Sequence, residues 1–325
     1  MADRPTLDDI HAAADRLRGV AVRTPLVPLH AYDGKSDIFL KLENLQPIGS
    51  FKLRGIFNAV AALTPERRAS GISTTSSGNT AQALAWAGRH FGVTARSLMP
   101  ENAPVSKIEA MRSYGGTPVL VTREHLFSYM ADHGWDEEPY AFIHPWIDPV
   151  VAAGNGTIGL EILEDVPDVE TIFVPVGGGG LSSGIGTAIK AVKPEVRIVA
   201  VEPEGCCALS QSLEAGQPMS VACNTICDGV AVPLVVPEVF EILRDVIDDV
   251  VLVSDDDVKK TIKRLALRNK LVTEGAGALA TTAALQTPSA SRGRSVCIVS
   301  GGSIDPDFLA AILTDPSLEE DKRRS

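Results

Sequence analysis

Between Val174 and Gly184 an apolar run, Val174-Pro175-Val176, passes into Gly177-Gly178-Gly179-Gly180 and then into Leu181-Ser182-Ser183-Gly184. Glycines let backbone amides approach an anion closely, and the start of a following helix adds positive potential. That chemistry is a phosphate cradle, and the run of glycines is longer than a tight turn requires. No Lys-Ser/Thr pair closes the segment, so it is not a nucleotide P-loop. A dinucleotide fingerprint fits poorly, because Ser183 stands where its last glycine belongs. Glu202, at the end of the next strand, keeps a ribose-binding carboxylate open as an alternative.

Three further segments carry candidate chemistry. In Gly49-Ser50-Phe51-Lys52-Leu53-Arg54-Gly55, Lys52 falls in the first turn of a helix, where a cation is disfavoured. Hemmed by Phe51 and Leu53, its amine would ionise less readily, attack an aldehyde and later act as a base. A solvated helix lysine is the plain alternative. Thr75-Ser76-Ser77-Gly78-Asn79-Thr80 joins a strand to a helix and offers hydroxyls, an amide and free N–H groups, which suit a carboxylate, or simply cap a helix. Val299-Ser300-Gly301-Gly302-Ser303 follows a strand at its C-terminal end, where open α/β sheets place ligands. The Ser300 hydroxyl there would hydrogen-bond a ring nitrogen without protonating it.

The elements that must position these segments alternate along the chain. Strands are expected at 37–42, 71–75, 95–99, 117–121, 141–143, 171–176, 196–201 and 294–299. Helices are expected after Thr6 and at 51–63, 80–91, 105–114, 123–133, 155–164, 182–191, 254–268 and 275–285, with a fraying tail over 317–325. This is an α/β fold with two open parallel-sheet subdomains, the smaller (71–145) inserted in the larger (1–70 and 146–325).

The chain has 325 residues, 45% of them hydrophobic, so it can build cores for two such units. A formal charge of −11 argues against nucleic acid and anionic membranes as partners. The N-terminal residues do not read as a targeting segment, and no apolar run reaches transmembrane length, which makes the expected location cytoplasmic. The five cysteines, Cys206, Cys207, Cys223, Cys227 and Cys297, fit no zinc spacing and are expected to be reduced, mostly buried thiols.

Taken together, Ser-Phe-Lys-x-Arg-Gly at 50–55, Ser-Ser-Gly-Asn at 76–79, the glycine run at 177–180, Glu-Gly-Ala-Gly at 274–277 and Ser-Gly-Gly at 300–302 resemble the threonine dehydratase and serine racemase branch of the fold type II pyridoxal phosphate (PLP) enzymes. His144-Pro145 and Ala153-Gly154-Asn155-Gly156-Thr157 also match it, and the resemblance runs from about Thr6 to about Leu313. It implies PLP as cofactor and α,β-elimination from a 3-hydroxy amino acid, with amino-acid racemisation as the alternative. It further implies that Lys52 holds PLP as a Schiff base with Phe51 beside the ring. Asn79 would contact the 3′-oxygen, and Gly177, Gly178, Gly179, Gly180 and Leu181 the phosphate. Gly229 would lie against the ring, Glu274 near its edge, and Ser300 at the pyridine nitrogen. Ser76, Ser77, Asn79 and Thr80 would hold the substrate carboxylate, and Ser77 is the candidate second proton donor of a racemase. A homodimer or homotetramer is expected.

The sequence departs from that branch at Thr80, where His is usual, and at Ser303, where Asn is usual. It departs again at Trp146-Ile147, which replaces a smaller or more polar pair. Less volume at the first two positions and an apolar ring at Trp146 suggest a pocket for a larger β-substituent, with phenylserine the boldest case; core packing is the alternative role for Trp146. Some relatives bind a divalent cation beyond the strand ending at Glu202. Here Cys206 and Ala208 occupy the following positions, so no metal is expected. The chain ends soon after the Ser300 loop, and no second regulatory domain is expected.

Overall fold

The computed structural model describes residues 4–31 and 36–318; the fraying tail expected from 317 does not hold at its start, where Pro316–Leu318 form a 3-10 turn with Leu318 buried, and the rest of it lies outside the described residues. Its strands are β1 (Leu26–Pro28), β2 (Ile38–Lys41), β3 (Ile72–Thr75), β4 (Ala95–Pro100), β5 (Thr117–Val121), β6 (Ala141–Phe142), β7 (Thr171–Pro175), β8 (Arg197–Pro203), β9 (Asp249–Val253) and β10 (Ser295–Ile298). One sheet has the order β1-β2-β10-β7-β8-β9, and the other β5-β4-β3-β6. Every pairing is parallel except β1 with β2. The smaller sheet is formed by chain lying between β2 and β7, so it is an insertion in the larger one.

Parallel strands need crossover helices and end up covered on both faces. In the larger sheet Ile172 and Val174 of β7, with Val296 and Ile298 of β10, enter one core beside Ile158, Ile162, Leu181 and Ile185. Their alternates Phe173, Cys297 and Val299 enter another with Val258, Ile262 and Ala276–Ala284. The strand period of two thus sorts consecutive residues into the two layers.

Three helices interlock behind the β2–β10–β7 edge: Lys52–Ala62, Pro149–Asp165 and Gly180–Val192. Glycines set their separation. A Cβ on Gly55 would lie 2.7 Å from the Val151 carbonyl oxygen, one on Gly154 2.6 Å from that of Arg54, and one on Gly184 2.2 Å from that of Ala152. The first helix is also pinned by charge. Arg54 is buried and donates from Nε and Nη2 to the two Glu43 oxygens (2.8 and 2.9 Å). Its Nη1 and Nη2 also donate to Glu161 (2.7 and 2.9 Å). Lys41 Nζ joins at 2.6 Å from Glu161, and Thr24 donates to Glu43 at 2.6 Å. A buried ion cluster of this kind holds because each carboxylate oxygen has a charged donor.

Two expectations change. Cys206 and Cys223 are joined as a disulfide, so the all-reduced reading does not hold; Cys207, Cys227 and Cys297 are free. Spacing along a chain carries no information about which thiols the loops bring together. The helix expected from Asn155 begins instead at Pro149, because Asp148 accepts from the Val150 N–H at 2.8 Å and proline suits a first helical turn. No helix of the described residues is long and apolar enough to cross a membrane.

Candidate active site

Between the two sheets lies a cavity of about 730 Å³, lined by segments from both. Its floor is built by a stitched pair of loops. The Phe51 N–H donates to the Ser300 carbonyl (3.0 Å), the Gly302 N–H to that of Gly49 (2.9 Å), and Ser50 bridges Gly301. The start of the Lys52 helix and the end of β10 are therefore one unit, and they bring Lys52 and Ser300 to the same cavity. Lys52 Nζ lies 4.9 Å from the Phe51 ring centroid. Burial lowers its pKa to about 8, against the opposing pull of Glu274. Below pH 8 the amine is mainly ammonium, and above it mainly the free nucleophile.

On the opposite wall, β3 delivers the chain into the helix Asn79–Phe91. Ser97 fixes the turn: its hydroxyl donates to the Ser76 carbonyl (2.7 Å) and accepts from the Ser76 N–H (3.0 Å). The Ser76 hydroxyl accepts from the Gly78 N–H at 3.1 Å. Ser76, Ser77, Asn79 and Thr80 all line the cavity, around a helix start whose first amides have no intrahelical acceptor. Asn79 Nδ2 donates to Glu274 Oε1 at 3.0 Å, so the two sheet units touch here. Glu274 is 6% exposed, and burial raises its pKa to about 7.

The end wall is the glycine run. Gly179 has φ +86°, a conformation that glycine alone adopts at no steric cost, and it stands directly before the helix Gly180–Val192. An added Cβ would lie 2.8 Å from the Val230 Cα at Gly177, 2.8 Å from Trp146 Cδ2 at Gly178 and 2.4 Å from Val239 Cγ1 at Gly179. The backbone itself is thus the cavity surface, backed by the indole and by apolar side chains. The donors and shape present suit a phosphate: free amides at a helix start, no side chain in the way, and Lys52 across the cavity to meet an aldehyde. Gly229 borders the same space, with an added Cβ 3.4 Å from Glu274 Oε1.

All the residues singled out from the sequence converge on this one cavity: Phe51, Lys52, Ser76, Ser77, Asn79, Thr80, Trp146, Gly177 to Leu181, Gly229, Glu274 and Ser300. Trp146 is seated on the glycine run, packed with the cluster of Val176, Leu209 and Val239. Glu202 lies elsewhere in role. It accepts from the Leu209 and Ser210 amides (2.8 and 2.9 Å) and caps the helix Ala208–Ala215. Glu202 is 1% exposed and does not line the cavity, so it is not placed there as a ribose-binding acid, which removes the dinucleotide alternative. Among the described residues no group of three or more His, Cys, Asp or Glu is placed to hold a metal ion. Sequence reasoning missed Lys107 and Asp228, which also line the cavity. The position of Asp228 beside Gly229 was the only available signal.

Comparison with known proteins agrees with this geometry. The family model described as pyridoxal-phosphate dependent enzyme matches residues 17–301. An L-threonine ammonia-lyase of Geobacter sulfurreducens is 41% identical over 309 residues, 94% of this chain and 77% of the relative. A catabolic L-threonine dehydratase of Escherichia coli K12 is 38% identical over 314 residues, 94% and 95% of the two chains. Among solved structures, maize serine racemase superposes with a TM-score of 0.88 at 35% identity, covering 94% of this chain and 96% of its own. The processed form of threonine deaminase isoform 2 from Solanum lycopersicum does so with a TM-score of 0.87 at 32% identity, covering 98% and 92%. With its glycine cradle and facing lysine, the chain belongs to the pyridoxal-phosphate dependent enzyme family and has the fold type II architecture.

Proposed function

We propose that the protein is an ammonia-lyase that converts L-threonine or L-serine to the 2-oxo acid and ammonia. The observation that carries this reading is the placement of the Lys52 amine opposite the Ser76–Thr80 helix start, with the glycine cradle closing the end between them. Bound PLP would supply an electron sink for the charge left at Cα. The chain's residues would do the rest. Gly177 to Leu181 hold the phosphate, Ser300 the ring nitrogen, and Lys52 the aldehyde carbon. Ser76, Ser77, Asn79 and Thr80 orient the substrate carboxylate, so that the Cα–H points at Lys52. The freed amine of Lys52 would take that proton and return it to the departing β-hydroxyl, which leaves as water, and addition of water would then release ammonia. For threonine the products are 2-oxobutanoate and ammonia. A coupled 2-oxo acid assay on the holoenzyme tests this, and absence of 2-oxobutanoate and pyruvate would exclude it. Ser300→Ala should weaken PLP binding by about two- to tenfold in a fluorescence titration, the size of one neutral hydrogen bond.

Racemisation is the second reading, favoured by Ser77 on the wall opposite Lys52 and by the likeness to maize serine racemase. Chiral separation of product amino acid from L-serine separates the two activities. Larger β-substituents, phenylserine in the boldest case, would extend towards Val232, Ile304 and Phe308, which also line the cavity. Because the Trp146 ring backs the glycine run, Trp146→Ala is expected to lower kcat/KM for serine, threonine and phenylserine by a similar factor. A loss selective for phenylserine would instead put the ring against the substrate.

A further inference from the structure

Two charged residues at the cavity have no part in the chemistry above. Lys107 stands in the helix Val105–Ser113 of the smaller unit, and Asp228 opens the turn Asp228–Val230 of the larger one. Lys107 Nζ and Asp228 Oδ2 form an ion pair between the two units. The side chains are 31% and 52% exposed, so the pair sits at the mouth. Inside it lies a second contact between the same units, Asn79 Nδ2 on Glu274 Oε1 at 3.0 Å. A Cβ placed on Gly229, the residue after Asp228, would lie 3.4 Å from that same carboxylate oxygen, so the turn runs close to the inner contact. The outer ion pair and the inner hydrogen bond thus form two successive clasps between the same two units.

We propose that Lys107 and Asp228 are positioning residues for the reaction: their ion pair clasps the smaller unit over bound substrate and keeps a matched pair of charges beside Glu274. The kinetic arm of this proposal rests on the ammonia-lyase reading; the cofactor arm does not. The groups acting on Glu274 are Lys52, Lys107 and Asp228 among charges, with Asn79 and the Ser303 backbone as hydrogen-bond donors. Burial raises the Glu274 pKa most, Asp228 raises it further, and Asn79 and Lys107 lower it. Removing the Asp228 charge should therefore let Glu274 ionise at lower pH, and removing the Lys107 charge should delay ionisation to higher pH.

The test uses holoenzyme carrying Lys107→Met, Asp228→Asn, or the exchange Lys107→Asp with Asp228→Lys. The pH titration of cofactor absorbance, without substrate, should show a midpoint lowered in Asp228→Asn and raised in Lys107→Met, each by about 0.2–0.7 pH unit for a partly screened charge. With threonine, each single variant should raise KM about two- to fivefold with a smaller change in kcat, and 0.5 M salt should raise KM in the wild type but not in the variants. The exchanged pair should restore KM. Midpoints that stay put or move in one common direction would overturn the proposal, as would an exchange no better than the single variants. Should the wild type release no 2-oxo acid, the ammonia-lyase reading fails while the absorbance titration still decides the role of the pair.

Discussion

Lys52→Ala is expected to lower kcat/KM for threonine by about 10²–10⁴-fold, the range for loss of a positioned general base. The fold should survive, because the helix Lys52–Ala62 is anchored by Arg54, which this change leaves in place with Glu43 and Glu161. PLP should still bind, held at the glycine run, but no longer covalently. Borohydride reduction followed by peptide mapping is the check: the wild type should carry the cofactor on Lys52, and the variant on no lysine. Label on another lysine of the wild type would refute the assignment. In the cofactor-free protein the rate of PLP capture should also rise with pH through about 8, as the buried Lys52 amine loses its proton and becomes the nucleophile.

Gly179→Asp should weaken PLP binding by about 10²-fold or more. A like charge introduced beside a phosphate repels it, on the order of 3 kcal/mol for unit charges about 5 Å apart at an effective dielectric of about 20, and each 1.4 kcal/mol is tenfold. Bulk adds to charge here, because φ is +86° and the new Cβ would fall 2.4 Å from Val239 Cγ1. Gly179→Asn carries nearly the same bulk without the charge, so the difference between the two variants reads the electrostatic part. Circular dichroism of both apo forms controls for folding. Equal PLP affinity in Gly179→Asp and wild type would place the phosphate elsewhere.

Much of this site was legible because its residues act through backbone or through one strand-to-helix turn. The glycine run and the Ser76–Asn79 turn each declare themselves within a few residues, and Lys52 gains its meaning from the helix start it occupies. Elements at the margins were less visible. β9, Asp249–Val253, pairs only with β8 and has an exposed aspartate, so its pattern does not alternate cleanly. β1 is a three-residue edge strand, too short for a period of two to show in the sequence. The helix Pro237–Val246 carries a proline in its first turn and a strong apolar face with Val239, Phe240, Leu243 and Val246 buried, a readable signal that was passed over. Lys107 and Asp228 stand 121 residues apart, and the Cys206–Cys223 link joins two loops. Contacts of that kind arise from packing of distant segments and leave no periodicity behind.

The glycine contacts among the helices Lys52–Ala62, Pro149–Asp165 and Gly180–Val192 have a metric consequence. Lys52 heads the first helix and the glycine run heads the third, and both are set against the middle helix with no side-chain thickness to compress. Dense packing of this sort resists small displacements. The distance from the Lys52 backbone to the amides of the glycine run is therefore a fixed gauge, and a cofactor held at both ends would be selected by length. A cofactor analogue with one extra methylene between ring and phosphate should fail to engage both ends at once, whatever its charge. Alanine at Gly55 or Gly184 should reset the gauge, and with it the length of analogue that fits.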